Sequence, residues 1–390
     1  MKMEEKQLDM YGDLKILYVG GRKALADIFP GIGEIELDEK RTSLKLDFGV
    51  GNPSTHHYSA EFPSKDGKRI FIINGRYHNT TPPTYRGEVS PCKKLYLSYK
   101  FLHEAGVAVP HVAFYPEIPQ WLFTENIPGE TLGQIIKKHQ DRVINELHSL
   151  TKSLPYFHIR AGRSVDTLTN EEASRLFWSR STMEQSRDFL EVLLGQRGDL
   201  DDITRLYLLI VNEAIDGDTV CHGDLSPDNI IKREGRGSYW YIDPELKLRN
   251  KFFDIGSLLG YLGCVQDDYS KLATSYLTGM IDARVQLEKD KLKEGVNESV
   301  VRESAFELSA NMLHASLRII SKRKRRNEDS QSYEAQRTAI SQILAAWESS
   351  PGEFLLNKEE LERIKKFRDF YENQRENSIE DVCVSSNQNS

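Results

Sequence analysis

The stretch Cys221-His-Gly-Asp-Leu-Ser-Pro-Asp-Asn-Ile-Ile231 constrains this chain more than any other. Asp224 and Asn229 are five positions apart, and Pro227 between them keeps the loop from continuing as a helix. Asn229-Ile-Ile-Lys232 and Tyr239-Trp-Tyr-Ile242 flank the turn residues Glu234-Gly-Arg-Gly237, the pattern of a short hairpin. A hairpin of this length returns its second strand beside the first, so Asp243 comes back to the neighbourhood of Asn229. Two carboxylates and an amide oxygen are the ligand types that suit a hard divalent cation and the phosphates it bridges. Phosphoryl transfer asks a protein for such positioning and charge neutralisation more than for covalent chemistry. Taken alone, a His-Gly-Asp loop is a turn with a cap. The ordered series of loop, hairpin, Ile242-Asp243 and Phe252-Phe-Asp254-Ile-Gly256 is more than a turn requires.

Composition is compatible with an enzyme of this kind. The chain has 390 residues, enough for two or three compact units, and 39% hydrophobic with 28% charged residues allows a sizeable core. A net charge of −7 argues against phosphate-driven nucleic-acid binding and against attraction to anionic membranes. Cys92, Cys221, Cys264 and Cys383 form no Cys-x-x-Cys pair, which removes zinc and thioredoxin readings and fits a reducing compartment. The N-terminal Met-Lys-Met-Glu-Glu-Lys leads into no apolar signal-peptide core, and runs such as Leu206 to Val211 are too short to cross a bilayer. A cytoplasmic protein is expected.

Hydrophobic periodicity divides the chain. Residues 1–40 match no pattern and are taken as an N-terminal extension. Over 41–127, strands are predicted at Ser43 to Gly49, His57 to Phe62, Arg69 to Ile73, His111 to Tyr115 and Trp121 to Thr124. One helix carries Leu95, Tyr99 and Leu102 and ends near Gly106, ahead of Pro110. From the Pro128-Gly129 junction to residue 375 the pattern is mostly helical, with apolar faces such as Ala310, Leu313, Leu317 and Ile320, or Leu361, Ile364, Phe367 and Tyr371. Residues 376–390 read as a disordered tail.

The loop resembles the His-x-Asp-x-x-x-x-Asn catalytic motif of aminoglycoside phosphotransferases, choline kinases and protein kinases. His222, Asp224 and Asn229 occupy its places, and Asp243 stands where that superfamily keeps a second metal-binding aspartate. The resemblance implies an α+β, bilobal protein-kinase-like fold and an ATP- and Mg2+-dependent phosphotransferase, with 41–127 binding the nucleotide and 128–375 holding the catalytic loop. It implies Asp224 as the catalytic base, Asn229 and Asp243 as magnesium ligands, and His222 as a brace for the loop. Asp254 would be the buried carboxylate that ties the loop to the next helix. Trp121 to Leu132 resembles the hinge of the same kinases, which would set the Glu125 carbonyl and the Ile127 amide against adenine; an ordinary strand-to-helix junction is the plainer reading. Gly49-Val-Gly51-Asn-Pro-Ser54-Thr55 stands where a phosphate-covering loop belongs, and its amides with the Ser54 and Thr55 hydroxyls suit phosphate oxygens. By itself it is a hairpin turn.

One departure concerns the third strand, where the superfamily carries a lysine paired with a helix glutamate. Arg69-Ile-Phe-Ile-Ile-Asn-Gly-Arg76 places Asn74 near that position, and Arg76 two residues later serves only if a bulge at Gly75 re-aims it. Lys93 and Lys94 fall where the glutamate is expected, and Glu88 precedes them. Ser226 stands where protein kinases carry a basic residue, Asp243 is followed by Pro-Glu, and eleven positions to Asp254 leave no room for an activation segment. These features resemble small-molecule kinases, with a hydroxyl-bearing small molecule as the acceptor. A RIO-type atypical kinase, which shares His-Gly-Asp-Leu-Ser, and a nucleotide-binding pseudokinase stay open as alternatives. Asp201-Asp202 and Asp267-Asp268 fit a cationic acceptor or, more simply, solvated helix faces. Lys322-Arg-Lys-Arg-Arg326 fits a helix C-terminus or a nucleic-acid or targeting signal.

Overall fold

The computed structural model describes residues 2–29, 32, 35–47, 55–78, 90–118, 120–177, 181–194, 200–233, 238–263, 269–288 and 296–387, with backbone alone over 2–14, 46–47, 55–56, 78, 194, 288 and 374–387. The chain opens with helix α1 (Lys2–Ile28) and strands β1 (Ser43–Asp47), β2 (Thr55–Pro63) and β3 (Ile70–His78). Helix α2 (Pro91–Glu104) precedes β4 (Val112–Ala113), β5 (Trp121–Glu125) and β6 (Glu130–Thr131). Helices α3 (Leu132–Lys138), α4 (Val143–Val165), α5 (Asn170–Phe177), α6 (Thr182–Leu194) and α7 (Leu200–Ile215) follow. Then come β7 (Thr219–Cys221), β8 (Ile230–Lys232), β9 (Tyr239–Tyr241) and β10 (Lys247–Arg249). Helices α8 (Phe253–Leu262), α9 (Tyr269–Glu288), α10 (Glu298–Arg325), α11 (Glu334–Ser349) and α12 (Lys358–Asn387) complete it. Two compact units form: Met1–Leu132 with Arg163–Leu176 and Asn229–Glu245, and Gly133–Gly162 with Phe177–Asp228 and Leu246–Ser390.

In the first unit, five antiparallel strands lie in the order β1-β2-β3-β5-β4. Strand alternation gives the sheet one apolar face, built from Tyr58, Ala60 and Phe62 of β2, Ile73 of β3, and Trp121 and Phe123 of β5. That face is covered by α1, which the sequence patterning left in the extension: Leu17, Ala24, Leu25 and Ile28 are buried in the same core. The Tyr115 hydroxyl adds a bond to Asp27 at 2.6 Å. At Gly75 α1 comes close to the sheet, for a Cβ there would lie 2.6 Å from Leu17 Cδ1 and 3.0 Å from the Trp121 ring. The glycine therefore serves this approach and not a bulge. Pairing of β2 with β3 is unbroken from Thr55↔His78 to Pro63↔Ile70, so there is no bulge at Gly75, the condition set for Arg76 to be re-aimed.

The hairpin β8–β9 belongs to this unit and not to the helical segment 128–375, because β6 pairs with β8 and the Tyr241 amide donates to Ala108 O at 3.0 Å.

The second unit is organised around α10. Ala310, Leu313, Leu317 and Ile320 are buried, and α6, α7, α8, α9 and α11 all pack against this helix. Bonds stitch it in place: Asn311 Nδ2 donates to Ala214 O at 2.6 Å and Trp347 Nε1 to Ser309 Oγ at 2.9 Å. His314 lies 3.0 Å from the Tyr207 hydroxyl, and burial, aided by Arg318, pushes its ring down to about 3, so it stays neutral. Ile364, Phe367 and Tyr371 bury one side of α12, and that helix continues to Asn387 through a stretch expected to lack structure. Among the described residues no helix is long and apolar enough to cross a membrane.

Gly256 on α8 sets the spacing to α10, since a Cβ there would lie 2.4 Å from Asn311 Cβ and 2.8 Å from its backbone. Replacing it overpacks a helix–helix contact with no flexible atom to yield. Gly256→Val is expected to lower unfolding free energy by about 1–3 kcal/mol or more, read from the urea midpoint. Gly162→Ala in α4, where an added Cβ meets nothing within 4 Å, is expected to raise stability by up to about 1 kcal/mol.

Candidate functional site

The loop after β7 is pinned from beneath by Asp254, in the first turn of α8. Its fully buried carboxylate accepts the His222 amide at 2.7 Å and the Gly223 amide at 3.0 Å. His158 Nε2 approaches the same carboxylate at 3.2 Å, and its other ring nitrogen lies 2.6 Å from the Tyr276 hydroxyl. Burial favours the protonated acid, but His158, with the ring and amide of His222, outweighs it and holds the Asp254 carboxyl below the usual range. His158, Cys221 and Asp254 bring ligand atoms within 4.8 Å of one another. Their oxygens and nitrogens are already committed to these hydrogen bonds, and the Cys221 thiol faces Asn250 O at 3.5 Å. The cluster is a structural knot and not a metal centre.

Above the knot, Lys247 Nζ donates to Gly223 O at 3.0 Å. Asp224 is partly exposed, and its Oδ1 accepts the Tyr261 hydroxyl at 3.0 Å with Arg318 at 3.6 Å. Burial would raise its pKa, yet the charges of Arg318, Lys322 and Lys247, with the Tyr261 bond, hold it below the ordinary aspartate value. Asp224 is therefore ionised at neutral pH.

In the first unit, the Ile242 amide donates to Asn229 O at 3.0 Å, one step beyond the last ladder pair Ile230↔Tyr241. Asn229, closing a single 3-10 turn from Pro227, and Asp243 thus leave the open end of one hairpin side by side. Asp243 has φ +54°, a left-handed conformation that aspartate tolerates better than most residues. Two contacts fix it there. Its amide donates to the Tyr99 hydroxyl of α2 at 2.8 Å, and its carboxylate pairs with Arg76 Nη1 at 2.7 Å. Burial and the adjacent carboxylate raise the Tyr99 phenol far above its usual pKa, so it remains protonated.

Arg76 reaches Asp243 by plain alternation along β3, on the sheet face it shares with Asn74, opposite the face under α1. Asn74 instead donates to Asn126 Oδ1 at 3.3 Å. The helix glutamate sought near Lys93 and Lys94 has no counterpart in α2 before Glu104; Lys93 merely donates its amide to the N-cap Ser90. Tyr99 takes over the task of holding the site from α2. The sequence patterning read Tyr99 only as a core position, and its single polar atom at the edge of an apolar stripe was the signal.

At the end of β5, the Glu125 amide donates to His111 O at 2.9 Å and the Asn126 amide to Ile72 O at 3.2 Å. Alternation turns the Glu125 carbonyl toward the β4 edge, away from β3, and Ile127 follows beyond the end of the strand. The His111 amide, which a continued ladder would aim at the Glu125 carbonyl, goes to the Glu125 carboxylate at 3.3 Å. A cavity of about 440 Å³ lined by Ile28, Phe29, Phe71, His111 and Glu125 lies on the α1 side of the sheet and contains neither Asn74 nor Arg76. Gly49, Gly51 and Ser54 lie outside the described residues, as do Glu88, the turn at 234–237, Asp267 and Asp268; Thr55 opens β2 opposite His78.

The basic run at the end of α10 is largely absorbed locally. Arg323 and Arg326 approach Glu328 at 3.7 and 3.9 Å, Arg325 donates to Asp188 O at 3.0 Å, and Lys324 is half-buried. Asp201 pairs with Arg187 at 3.2 Å.

No protein-family model matches the chain, and no curated protein matches it. Solved structures do. An ethanolamine kinase from Plasmodium vivax superposes with a TM-score of 0.50 at 12% identity, over 84% of this chain and 88% of that one. The chain has a protein-kinase-like fold. A choline/ethanolamine kinase family protein from Mesorhizobium loti aligns with 90% of this chain and 99% of its own, at 13% identity and a TM-score of 0.48. A choline kinase from Streptococcus pneumoniae aligns over 84% and 99% at 12% identity, with a TM-score of 0.42.

The Asp254 knot has a direct test. Asp254→Asn replaces an acceptor of two amides with a group that can satisfy only one of them, and is expected to cost about 3 kcal/mol of stability in denaturant titration. Because the folded-state pKa of Asp254 lies below its unfolded value of about 4, its contribution is present at neutral pH and is lost as the pH falls through the folded value. Wild type and variant are therefore expected to converge in stability at strongly acidic pH.

Proposed function

We propose that this chain is an ATP- and Mg2+-dependent phosphotransferase whose acceptor is a hydroxyl of a small molecule. The observation that carries the reading is the Arg76–Asp243 ion pair at 2.7 Å beside Asn229. A strand arginine, a carboxylate and an amide oxygen are what a metal-bridged polyphosphate requires: a cation for phosphate oxygens and hard oxygen donors for the metal. The donor types fit magnesium, with Asn229 and Asp243 as the residues that hold it. The ion would neutralise charge on the phosphates. Asp243 is kept in place by its Tyr99 bond whether or not Arg76 turns to a phosphate.

Asp224 orients the acceptor. Its ionised carboxylate accepts the hydroxyl proton as the acceptor oxygen attacks the γ-phosphorus, the bond to the bridging oxygen breaks, and ADP leaves. The Tyr261 bond to Oδ1 holds the carboxylate in one orientation. Glu125 and Ile127 supply backbone groups for the adenine edge, and Gly49, Gly51, Ser54 and Thr55 the phosphate-covering loop, as the family resemblance implies. His222 and Asp254 keep the loop rigid.

ATP with Mg2+ is expected to raise the melting temperature. Asp224→Ala is expected to lower turnover by about a hundredfold or more while retaining that shift. Asp243→Ala is expected to remove the magnesium-dependent part of the shift together with turnover, and Arg76→Ala to weaken nucleotide binding about tenfold. Turnover that survives both aspartate changes would sink the proposal. The engagement of Asp243 by Arg76 favours one second reading, a nucleotide-binding protein without transfer activity. Stabilisation by ATP with no transfer to any acceptor selects it.

A further inference from the structure

The groups around Asp224 carry information about the acceptor that the loop motif does not. Helix α10 presents Arg318 and Lys322, one turn apart and so on the same face. Arg318 lies 3.6 Å from the Asp224 carboxylate, and Lys322, exposed one turn on, acts on the same carboxylate. Lys247, the first residue of β10, is buried with its ammonium on Gly223 O at 3.0 Å. The charged groups that act most strongly on Asp224 are all cations. One carboxylate facing three cations leaves a local excess of positive charge.

Ordinary structural needs do not account for that excess. Arg318 alone compensates the charge of Asp224, and Lys247 is committed to a backbone carbonyl. Arg323 and Arg326 approach Glu328 and Arg325, two turns beyond Arg318, is held on the Asp188 carbonyl, whereas Lys322 lies one turn beyond Arg318 on its face. A cationic acceptor such as a quaternary ammonium or an aminosugar calls for acids or aromatic faces at its charge. Here it would meet like charge.

Resting on the phosphotransferase reading above, we infer that the acceptor is a hydroxyl compound bearing an anionic group, a phosphate or a carboxylate, which Arg318 and Lys322 bind while Asp224 takes the hydroxyl. An arginine fork and a mobile ammonium on one helix face match an oxyanion. The transfer is the one already described: the acceptor oxygen bonds to the γ-phosphorus, its proton passes to Asp224, and ADP departs.

The full chain with ATP and Mg2+ is tested against glycerol 3-phosphate, hexose monophosphates and hydroxycarboxylates, against choline, ethanolamine and an aminoglycoside, and against glycerol. Anionic acceptors are expected to raise the melting temperature in the presence of a non-hydrolysable ATP analogue, and to be phosphorylated in preference to the others. Lys322→Gln is expected to raise KM for the anionic acceptor about tenfold, and Lys322→Glu to raise it further, with KM for ATP unmoved. Arg325→Gln, the same loss of charge at a residue held by Asp188, leaves the acceptor KM as in wild type. Preference for a cationic or neutral acceptor overturns the inference, as does the absence of both stabilisation and transfer across the anionic compounds. A Lys322 effect on KM for ATP alone also overturns it, by moving these cations to the nucleotide. If instead ATP neither binds nor turns over, the phosphotransferase reading falls, and it is recognised by its own failed shift with ATP and Mg2+.

Discussion

The fully buried Asp254 carboxylate accepts the two successive amides of His222 and Gly223 and thereby fixes the backbone from which Asp224 projects. A charge in that position is costly unless it is paired and hydrogen-bonded, and His158, itself held by Tyr276, adds a third contact. The knot joins α4, α8, α9 and the loop after β7 within one unit. Around it α8 and α10 close to backbone distance at Gly256, which brings Arg318 and Tyr261 to Asp224. The position and charge of that carboxylate therefore rest on groups distant in sequence.

Asp243 is held by a different logic. Hairpin pairing returns it beside Asn229, and the left-handed backbone at Asp243 is stabilised by a phenol and a guanidinium from α2 and β3. The expected strand lysine and helix glutamate are replaced by an arginine and a tyrosine that both act on the aspartate itself. Alternation along β3 supplies the arginine without distortion, because Gly75 between Asn74 and Arg76 makes room for α1 and not for an extra residue.

Much of the architecture was legible from short-range patterns. The strands at Ser43, His57, Arg69 and Trp121, the helix through Tyr99 and the hairpin after Asn229 all appear where alternation or helical spacing placed them. Helix α1 escaped because its apolar residues have no strong amphipathic contrast; Leu17, Ala24, Leu25 and Ile28 are buried by a sheet that lies later in the chain. The hairpin was grouped with the helices that flank it in sequence, yet β6 and Ala108 draw it into the first unit. Tyr99 was read only as a core position of its helix, and Arg318 as one charge on the polar side of another.

The sequence by itself determined the local geometry: a proline-interrupted loop, a turn of fixed length, and the spacing that brings Asp243 back to Asn229. These depend on dihedral preferences and nearest-strand pairing, which a short segment carries within itself. Tertiary structure decided which side chains surround those oxygens, and so their charge and their neighbours. Arg76, Tyr99, Tyr261 and Arg318 reach the two aspartates from remote elements, and contact between remote elements is set by packing, which no local pattern encodes.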